Sequence, residues 1–158
     1  RQPELRARCE AGEGTVFWSS NFSIGVNLFL QINRRVAALM QVAPNYHLSI
    51  DETHHIHKLD APSGTAITLA EAILSERPEL KGWELTEEPH MGLLPITAHR
   101  EGEVPGIHTV TYTSEVDRIV LTHEAFGRQG FALGAVLAAE FARTHQGWLT
   151  MDDMLQLG

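Results

Sequence analysis

The sequence has few of the features that mark secreted, membrane or nucleic-acid-binding proteins. It contains one cysteine in 158 residues, Cys9, so we expect no internal disulfide and a free thiol in a reducing cytoplasm. No apolar run approaches the roughly 18 residues of a membrane span, and no charged-then-apolar leader is visible. Lys and Arg number 12 against 20 Asp and Glu, which argues against a nucleic-acid surface. We therefore expect a cytoplasmic protein with neither a membrane nor a nucleic-acid partner.

A glycine-rich turn between a strand and a helix, the usual mark of a dinucleotide-binding domain, is also missing. Gly12 and Gly14 come before a predicted strand, Thr15 to Trp18, instead of after one. The sequence therefore lacks the element that normally holds the phosphates of such a cofactor.

The remaining pattern predicts an α+β fold. The hydrophobic fraction of 43% is typical of a globular protein. Helical spacing and strand alternation predict a small mixed β-sheet of about four strands with helices packed on one side. Helices are predicted at about 25–42, 63–75 and 130–144, strands at 15–18, 46–51, 96–100, 107–114 and 116–124, and a loop at 80–95.

Ionisable side chains concentrate in the stretch from Glu52 to Ala66, which reads ETHHIHKLDAPSGTA. Three histidines and one lysine fall within five residues: His54, His55, His57 and Lys58. Histidine titrates near neutral pH, and the Ser63-Gly64-Thr65 turn opens a helix whose free N–H groups can bind a carboxylate or phosphate. Because the chain carries a net charge of -8, this local reversal of sign predicts a small anionic substrate that is also protonated.

The stretch resembles the signature of the dihydrodipicolinate reductases, E-x-H-H-x-x-K-x-D-A-P-S-G-T-A, and matches it at every fixed position. The resemblance implies that His54 and Lys58 are catalytic and that a dicarboxylate substrate contacts His55, Ser63, Gly64 and Thr65. It also implies reduction of 4-hydroxy-tetrahydrodipicolinate in the biosynthesis of diaminopimelate and lysine. NADPH or NADH would be the cofactor and Ser19, Ser20, Asn21 and Phe22 its contacts.

The same resemblance implies a domain organisation. Residues 1–22 would be a remnant of a Rossmann-type nucleotide-binding domain with its hinge. Residues 23–127 would form the substrate-binding, catalytic and tetramerising domain, with a homotetramer built through the β-sheet. Residues 128–158 would be a helical segment that packs back on the nucleotide domain.

Two alternatives stay open at the level of sequence. Without a nucleotide-binding half, the chain could be a non-catalytic module that binds dicarboxylates and oligomerises. His55 and His57 share a strand face if the strand continues, which favours a zinc site, but no cysteine pair or suitably spaced carboxylate accompanies them, so we predict no metal. Three further histidines on predicted strands are expected to be structural: His99, His108 and His123.

Overall fold

The computed structural model describes residues 2–157, which form two compact units. The terminal unit comprises residues 2–28 and 128–157, and the central unit comprises residues 29–127. The helices are α1 (Gln2–Glu10), α2 (Ile24–Leu39), α3 (Gly64–Glu76), α4 (Gln129–Ala142) and α5 (Met151–Leu155). The strands are β1 (Thr15–Phe17), β2 (His47–His54), β3 (Gly82–Leu85), β4 (Leu93–Arg100), β5 (Ile107–Thr113), β6 (Arg118–Glu124) and β7 (Gly147–Leu149). None of the helices within residues 2–157 has the length and apolar character needed to cross a membrane.

The central unit is built on a mixed sheet of five strands in the order β3-β4-β2-β5-β6. β2 runs parallel to β4, and β4 runs parallel to β3. The other two strands are antiparallel: β5 pairs with β2, and β6 pairs with β5. The predicted α+β class with a small mixed sheet is confirmed, with one strand more than expected.

One face of this sheet carries both the hydrophobic core and two ionisable residues of β2, Glu52 and His54. Ile50, Glu52 and His54 are buried, whereas Asp51 and Thr53 between them are half-buried, as the alternation of side chains along a strand requires. Glu52 and His54 therefore lie on the same face as Ile50, which belongs to the core. A carboxylate and an imidazole on that face need partners, because burying an unpaired charge is costly.

Helices α2 and α3 supply the other side of this core, as the sequence predicted. Leu69 and Ile73 of α3 are fully buried together with Ile50 and other strand residues. Asn33 of α2 is also fully buried, and its Nδ2 donates a hydrogen bond to the carbonyl oxygen of Leu69 at 3.1 Å. A buried amide with a hydrogen bond to a neighbouring helix fixes how the two helices meet.

The prediction of a loop over residues 80–95 is wrong for part of that segment. Residues Gly82–Leu85 form strand β3, which pairs in parallel with β4, and β4 itself begins at Leu93. Four residues with a glycine and a glutamate carry too little alternation to indicate a strand. The pairing with β4, rather than a local preference, makes this segment extended.

The terminal unit contains a two-stranded parallel sheet of β1 and β7, in which Phe17 lies opposite Leu149. β7 was not predicted, because its three residues follow the helix α4 with little sign of alternation. The Phe17 ring packs 5.8 Å from Phe22 and 6.3 Å from Phe141, measured between ring centroids. Helix α2 begins in this unit, where Ser23 Oγ accepts a hydrogen bond from the N–H of Val26 and so caps the helix.

Helix α4 approaches the chain at Phe22 so closely that only glycine fits at position 134. A Cβ atom at Gly134 would overlap the carbonyl oxygen of Phe22. We therefore expect Gly134→Ala to lower the free energy of unfolding by about 2 kcal/mol, the usual cost of overpacking. Chemical denaturation followed by circular dichroism measures this change.

Gly130 on the same helix provides the matched control. A Cβ at Gly130 meets no atom nearer than Ser23 Oγ at 3.7 Å, an ordinary contact. Because alanine is the better helix former by about 1 kcal/mol, Gly130→Ala should be neutral or stabilising. Equal destabilisation by the two substitutions would show that the close approach at Phe22 is not the cause.

Candidate active site

The candidate site lies in the central unit, where two parallel strands end side by side. β2 and β4 are neighbours, and the last residue of β2, His54, is in register with the last residue of β4, Arg100. Parallel strands place their carboxyl ends at one edge of a sheet, which is where open α/β sheets commonly bind ligands. The stretch Glu52 to Ala66 begins at this edge.

Glu52 is fully buried and lies at the centre of the polar contacts. Its Oε1 accepts hydrogen bonds from the backbone N–H of Ser63 at 3.0 Å and from the guanidinium of Arg100 at 3.2 Å. Its Oε2 lies 2.7 Å from His54 Nδ1. Burial raises the pKa of Glu52, but hydrogen bonds from His54 and Ser63 together lower it further, to about 2. Glu52 is therefore a carboxylate at neutral pH.

Arg100 fixes the loop that follows β2. Its Nε donates to the carbonyl oxygen of Lys58 at 3.3 Å, and a terminal nitrogen donates to the carbonyl oxygen of Asp60 at 2.6 Å. The same terminal nitrogen reaches Glu52. One guanidinium thus connects the buried carboxylate to the loop of the signature, a use suited to its five donors in a fixed geometry.

The ammonium of Lys58 lies within this loop and is paired locally. Lys58 Nζ is 2.8 Å and 2.9 Å from the two carboxylate oxygens of Asp60. The hydrogen bond from Lys58 lowers the pKa of the exposed Asp60 carboxyl. An exposed pair of this kind adds little stability, so Lys58 can leave Asp60 for a bound anion at small cost.

Helix α3 begins beside these groups, and Ser63 is its N-cap. Ser63 Oγ accepts a hydrogen bond from the N–H of Ala66 at 3.2 Å. The N–H groups of Gly64 and Thr65 belong to the first helical turn, where no intrahelical acceptor exists. A side chain at Gly64 would meet no atom within 4 Å, so the space in front of this turn is open. The turn can therefore receive an anion.

His108 of β5 completes the buried group. Its Nε2 lies 3.0 Å from Ser63 Oγ and 3.9 Å from Glu52 Oε2, and its ring meets that of His54 edge-on at 5.1 Å. Burial, followed by the nearby charge of His54, lowers the pKa of His108 to about 4. His108 is therefore neutral at pH 7. The sequence predicted a structural histidine here but did not indicate its contacts with Glu52, His54 and Ser63.

Glu52, His54 and His108 offer three ligand atoms within 4.8 Å of one another, close enough to surround a metal ion. The sequence directed attention instead to His55 and His57, whose rings are 6.0 Å apart. His57 Nε2 is 3.2 Å from the exposed carboxylate of Glu103. At the buried group, the Arg100 guanidinium 3.2 Å from Glu52 opposes a further positive charge, and we assign no metal there.

The predicted catalytic and substrate residues lie around one edge of the sheet. They differ in how many of their polar atoms are already hydrogen-bonded within the protein. The N–H and hydroxyl of Ser63 are both used within the protein. His55 is half-buried, and among the described residues its Nδ1 has no hydrogen-bond partner. Direct contact with a ligand is therefore easier for Gly64 and Thr65 than for Ser63, whereas the buried Nδ1 of His55 is closed to a ligand.

The predicted cofactor contacts lie in the terminal unit, in the loop between β1 and α2. Ser19 Oγ donates to the carbonyl oxygen of Asn21 at 2.7 Å, and Asn21 Oδ1 accepts the N–H of Ser23. Ser20 is exposed, and Phe22 is half-buried. The loop therefore has few polar side-chain groups left for a ligand, and Ser20 and the Phe22 ring are the best placed to make contact.

Arg100 and His108 are the residues that sequence reasoning missed, and Glu52 was seen without its role. All three act through contacts across strands, from β4 and β5 to β2. A basic residue at the end of a predicted strand was the available signal for Arg100. Nothing local distinguished His108 from the other strand histidines.

A separate open groove of about 1070 Å³ lies at the other end of the sheet. It is lined by residues of the first half of β2 and by the segment before β4, including Tyr46, Arg77 and Met91. None of the predicted catalytic or substrate residues lines it. Its position keeps it apart from the ionisable group at the carboxyl ends of β2 and β4.

The sequence matches known proteins over most of its length. Residues 25–155 match the family described as dihydrodipicolinate reductase, C-terminus. The chain is 50% identical over 152 residues to the 4-hydroxy-tetrahydrodipicolinate reductase of Christiangramia forsetii, covering 96% of this chain and 63% of that relative. It is 39% identical over 154 residues to the protein of the same name from Oleidesulfovibrio alaskensis, covering 89% and 57%.

A solved structure, described as dipicolinate-bound dihydrodipicolinate reductase from Paenisporosarcina sp. TG-14, shares the fold. The TM-score is 0.74 at 23% sequence identity, and the match covers 96% of this chain and 58% of that one. The fold and the site thus define an α+β protein with ionisable groups gathered at the ends of two parallel strands. The chain belongs to the dihydrodipicolinate reductase family, as the signature indicated, and corresponds to its C-terminal part. It spans about three fifths of the length of the relatives that it matches.

Proposed function

We propose that this chain is the substrate-binding and catalytic part of a 4-hydroxy-tetrahydrodipicolinate reductase of lysine and diaminopimelate biosynthesis. The observation that carries the proposal is the buried Glu52–His54 pair, joined through Arg100 to the Lys58 loop and set beside the first turn of α3. This arrangement combines a proton carrier, a cation and an anion-binding helix end. The proposal includes residues 23–127 as the catalytic domain and a cytoplasmic location.

Two carboxylates on the substrate fit two sets of groups in the protein. One carboxylate would accept hydrogen bonds from the N–H groups of Gly64 and Thr65 and from the Thr65 hydroxyl. Ser63, the N-cap of α3, would shape this turn. The other would be held by the imidazole of His55. Lys58 would leave Asp60 to neutralise charge on the substrate or to donate a proton.

The conversion replaces a hydroxyl group by hydrogen, so one hydride and one proton enter and one water leaves. When bound, the nicotinamide of NADPH or NADH supplies the hydride. His54 is the proposed proton donor, because it matches the first histidine of the signature and lies at the carboxyl end of β2, with Nδ1 2.7 Å from the Glu52 carboxylate. Ser19, Ser20, Asn21 and Phe22 are the proposed cofactor contacts, and the exposed Ser20 with the half-buried Phe22 ring fits such a contact best.

A non-catalytic role, as a module that binds dicarboxylates and oligomerises, is the second candidate. It would need only the anion-binding groups at the start of α3 and no nicotinamide cofactor. Both candidates include a homotetramer formed through the β-sheet, and both predict dicarboxylate binding. Turnover by a chain that also carries a dinucleotide-binding half would distinguish them.

Pyridine-2,6-dicarboxylate should bind to the 158-residue chain with a stoichiometry of one, measured by isothermal titration calorimetry. Removing one carboxylate, as in pyridine-2-carboxylate, should weaken binding at least tenfold, because each charge-assisted hydrogen bond contributes about 1.5–3 kcal/mol. Thr65→Val should weaken binding of the dicarboxylate by a similar factor.

Ser75→Ala, at the far end of the same helix, is the matched control and should leave affinity unchanged. Ser75 Oγ donates only to the carbonyl oxygen of Ala72 within the helix. Equal affinity for the two pyridine acids, or equal effects of the two substitutions, would contradict the proposed carboxylate site.

A further inference from the structure

We propose that Glu52 is a positioning residue that holds the proton of the neutral His54 ring on Nδ1 and leaves Nε2 as the atom that carries a proton to and from the substrate. The tautomer of His54 follows from the geometry alone. The kinetic consequence rests on the proposed function.

The first support is the isolation of the two atoms. Glu52 Oε2 and His54 Nδ1 are 2.7 Å apart and both are buried. The contact is bent, and within residues 2–157 neither atom has a well-aligned hydrogen bond to any other group. A short contact between two buried atoms of opposite polarity makes each the partner of the other. The carboxylate can only accept, so the proton between them belongs to the imidazole.

The second support is the shape of the pocket around the His54 ring. Because Nδ1 is buried against Glu52, a substrate can meet the ring only at the edge that carries Nε2. Gly106 lies beside this edge, where a Cβ atom would be 3.1 Å from Nε2. The φ of Gly106 is 156°, a value that other residues rarely adopt. The absence of a side chain at Gly106 therefore leaves space beside His54 Nε2, the nitrogen that would exchange a proton with the substrate.

The third support is the arrangement of charges around the pair. Glu52 Oε2 is 2.7 Å from His54 but 3.9 Å from His108, and Oε1 is occupied by Ser63 and Arg100. His108 is neutral at pH 7, so it does not compete for the carboxylate. Among the described residues, the titratable and charged groups near the pair are His108 from β5, Arg100 from β4, and Lys58 and Asp60 from the loop, while His123 of β6 acts on His108.

The tautomer can be measured without any activity. Long-range ¹H–¹⁵N correlation spectra of the 158-residue chain report which nitrogen of each neutral histidine carries the proton. We expect the His54 signals of the Nδ1–H form in the wild type and a shift towards the Nε2–H form in Glu52→Gln, because the amide donates to Nδ1. A neutral wild-type His54 protonated on Nε2 overturns the inference, whether or not the variant folds.

The kinetic test uses a full-length protein in which this chain is joined to a dinucleotide-binding half. Glu52→Gln keeps an acceptor for Ser63 and Arg100 but removes the charge beside His54. We expect kcat to fall roughly 100-fold with KM changed less than threefold, and the pH above which turnover declines to move downwards. Glu52→Asp should recover part of the loss.

Glu103→Gln is the matched control, since Glu103 lies 3.2 Å from His57 Nε2 in an exposed carboxylate–histidine pair. It should leave kcat and the pH profile unchanged. Unaltered kinetics of Glu52→Gln in an active enzyme would overturn the inference while leaving the proposed function intact, whereas an inactive wild type would count against the proposed function only. A stoichiometric metal ion in the purified wild type that Glu52→Gln loses would also overturn it, by making Glu52 a ligand.

Discussion

Replacing both His54 and Lys58 by alanine is expected to abolish turnover in a full-length reductase containing this chain. A positioned general acid contributes about 10²–10⁴-fold to rate, and loss of a cation that meets developing charge costs a further factor of similar size. His54→Ala alone should therefore lower kcat at least 100-fold. The spectrophotometric decrease of NADPH or NADH with 4-hydroxy-tetrahydrodipicolinate measures the rate.

The double substitution should leave the fold largely intact. Loss of His54 leaves Glu52 Oε2 without its partner, at a cost of roughly 1–3 kcal/mol. Loss of Lys58 removes a pair with the exposed Asp60, which contributes little. We expect a folded variant with a lowered unfolding midpoint, so that lost activity can be separated from lost structure.

The control is the pair of substitutions His57→Ala and Lys81→Ala, which removes the same two side-chain types at exposed positions. His57 belongs to the same loop as Lys58 but faces Glu103. This control should retain turnover. Wild-type turnover in the variant that lacks His54 and Lys58 would remove the catalytic assignment, and equal losses in both double variants would attribute the effect to the loop as a whole.

The sequence was sufficient to predict the parts of the fold whose causes are local. The helix at α3 was predicted from apolar residues at helical spacing after a capping serine, and Ser63 does cap it. The predicted apolar positions were Ala66, Ile67, Ala70, Ile73 and Leu74. Alternation from Tyr46 to Asp51 predicted β2, which the structure extends to His54. These elements follow from side-chain periodicity and capping, which can be read within a window of a few turns.

The parts that were missed depend on pairing between distant segments. β3 is extended because Gly82–Leu85 lies alongside β4, and β7 because Gly147–Leu149 lies alongside β1. The role of Arg100 depends on the register that places it opposite His54. Register between strands is set by the whole sheet, so these contacts cannot be derived from one segment alone.

The same limit applies within the signature. Its residue types indicated a proton carrier and an anion site. The sequence did not show that the N–H and hydroxyl of Ser63 already form hydrogen bonds with Glu52, His108 and the first turn of α3. Nor did it show that Glu52 is fully buried. The contacts with His54 and Ser63 keep the buried Glu52 charged against the effect of burial, and these contacts form only in the folded chain.

Acidification should destabilise the chain through His108. The pKa of His108 falls from 6.5 to about 4 on folding, mainly because of burial. Below pH 6.5 the unfolded chain gains a proton that the native state does not accept until about pH 4, so stability is lost across that window and unaffected above it. At about 1.4 kcal/mol for each pH unit of pKa difference, the full loss is about 3 kcal/mol. Urea unfolding at intervals from pH 7 to 4.5 measures most of it.

The range above pH 4.5 separates His108 from Glu52, since the pKa of Glu52 is lowered from 4.5 to about 2 and its contribution is lost only below that range. His108→Gln retains a group able to hydrogen-bond Ser63 but cannot gain a proton. Between pH 6.5 and 4.5 the free energy of unfolding of this variant should therefore fall by about 2 kcal/mol less than that of the wild type. His47→Gln, at an exposed position on β2, should keep the wild-type dependence. If His108→Gln and the wild type lost stability in parallel, His108 would gain its proton in the folded protein near pH 6.5, as in the unfolded chain, and burial would not keep it neutral between pH 6.5 and 4.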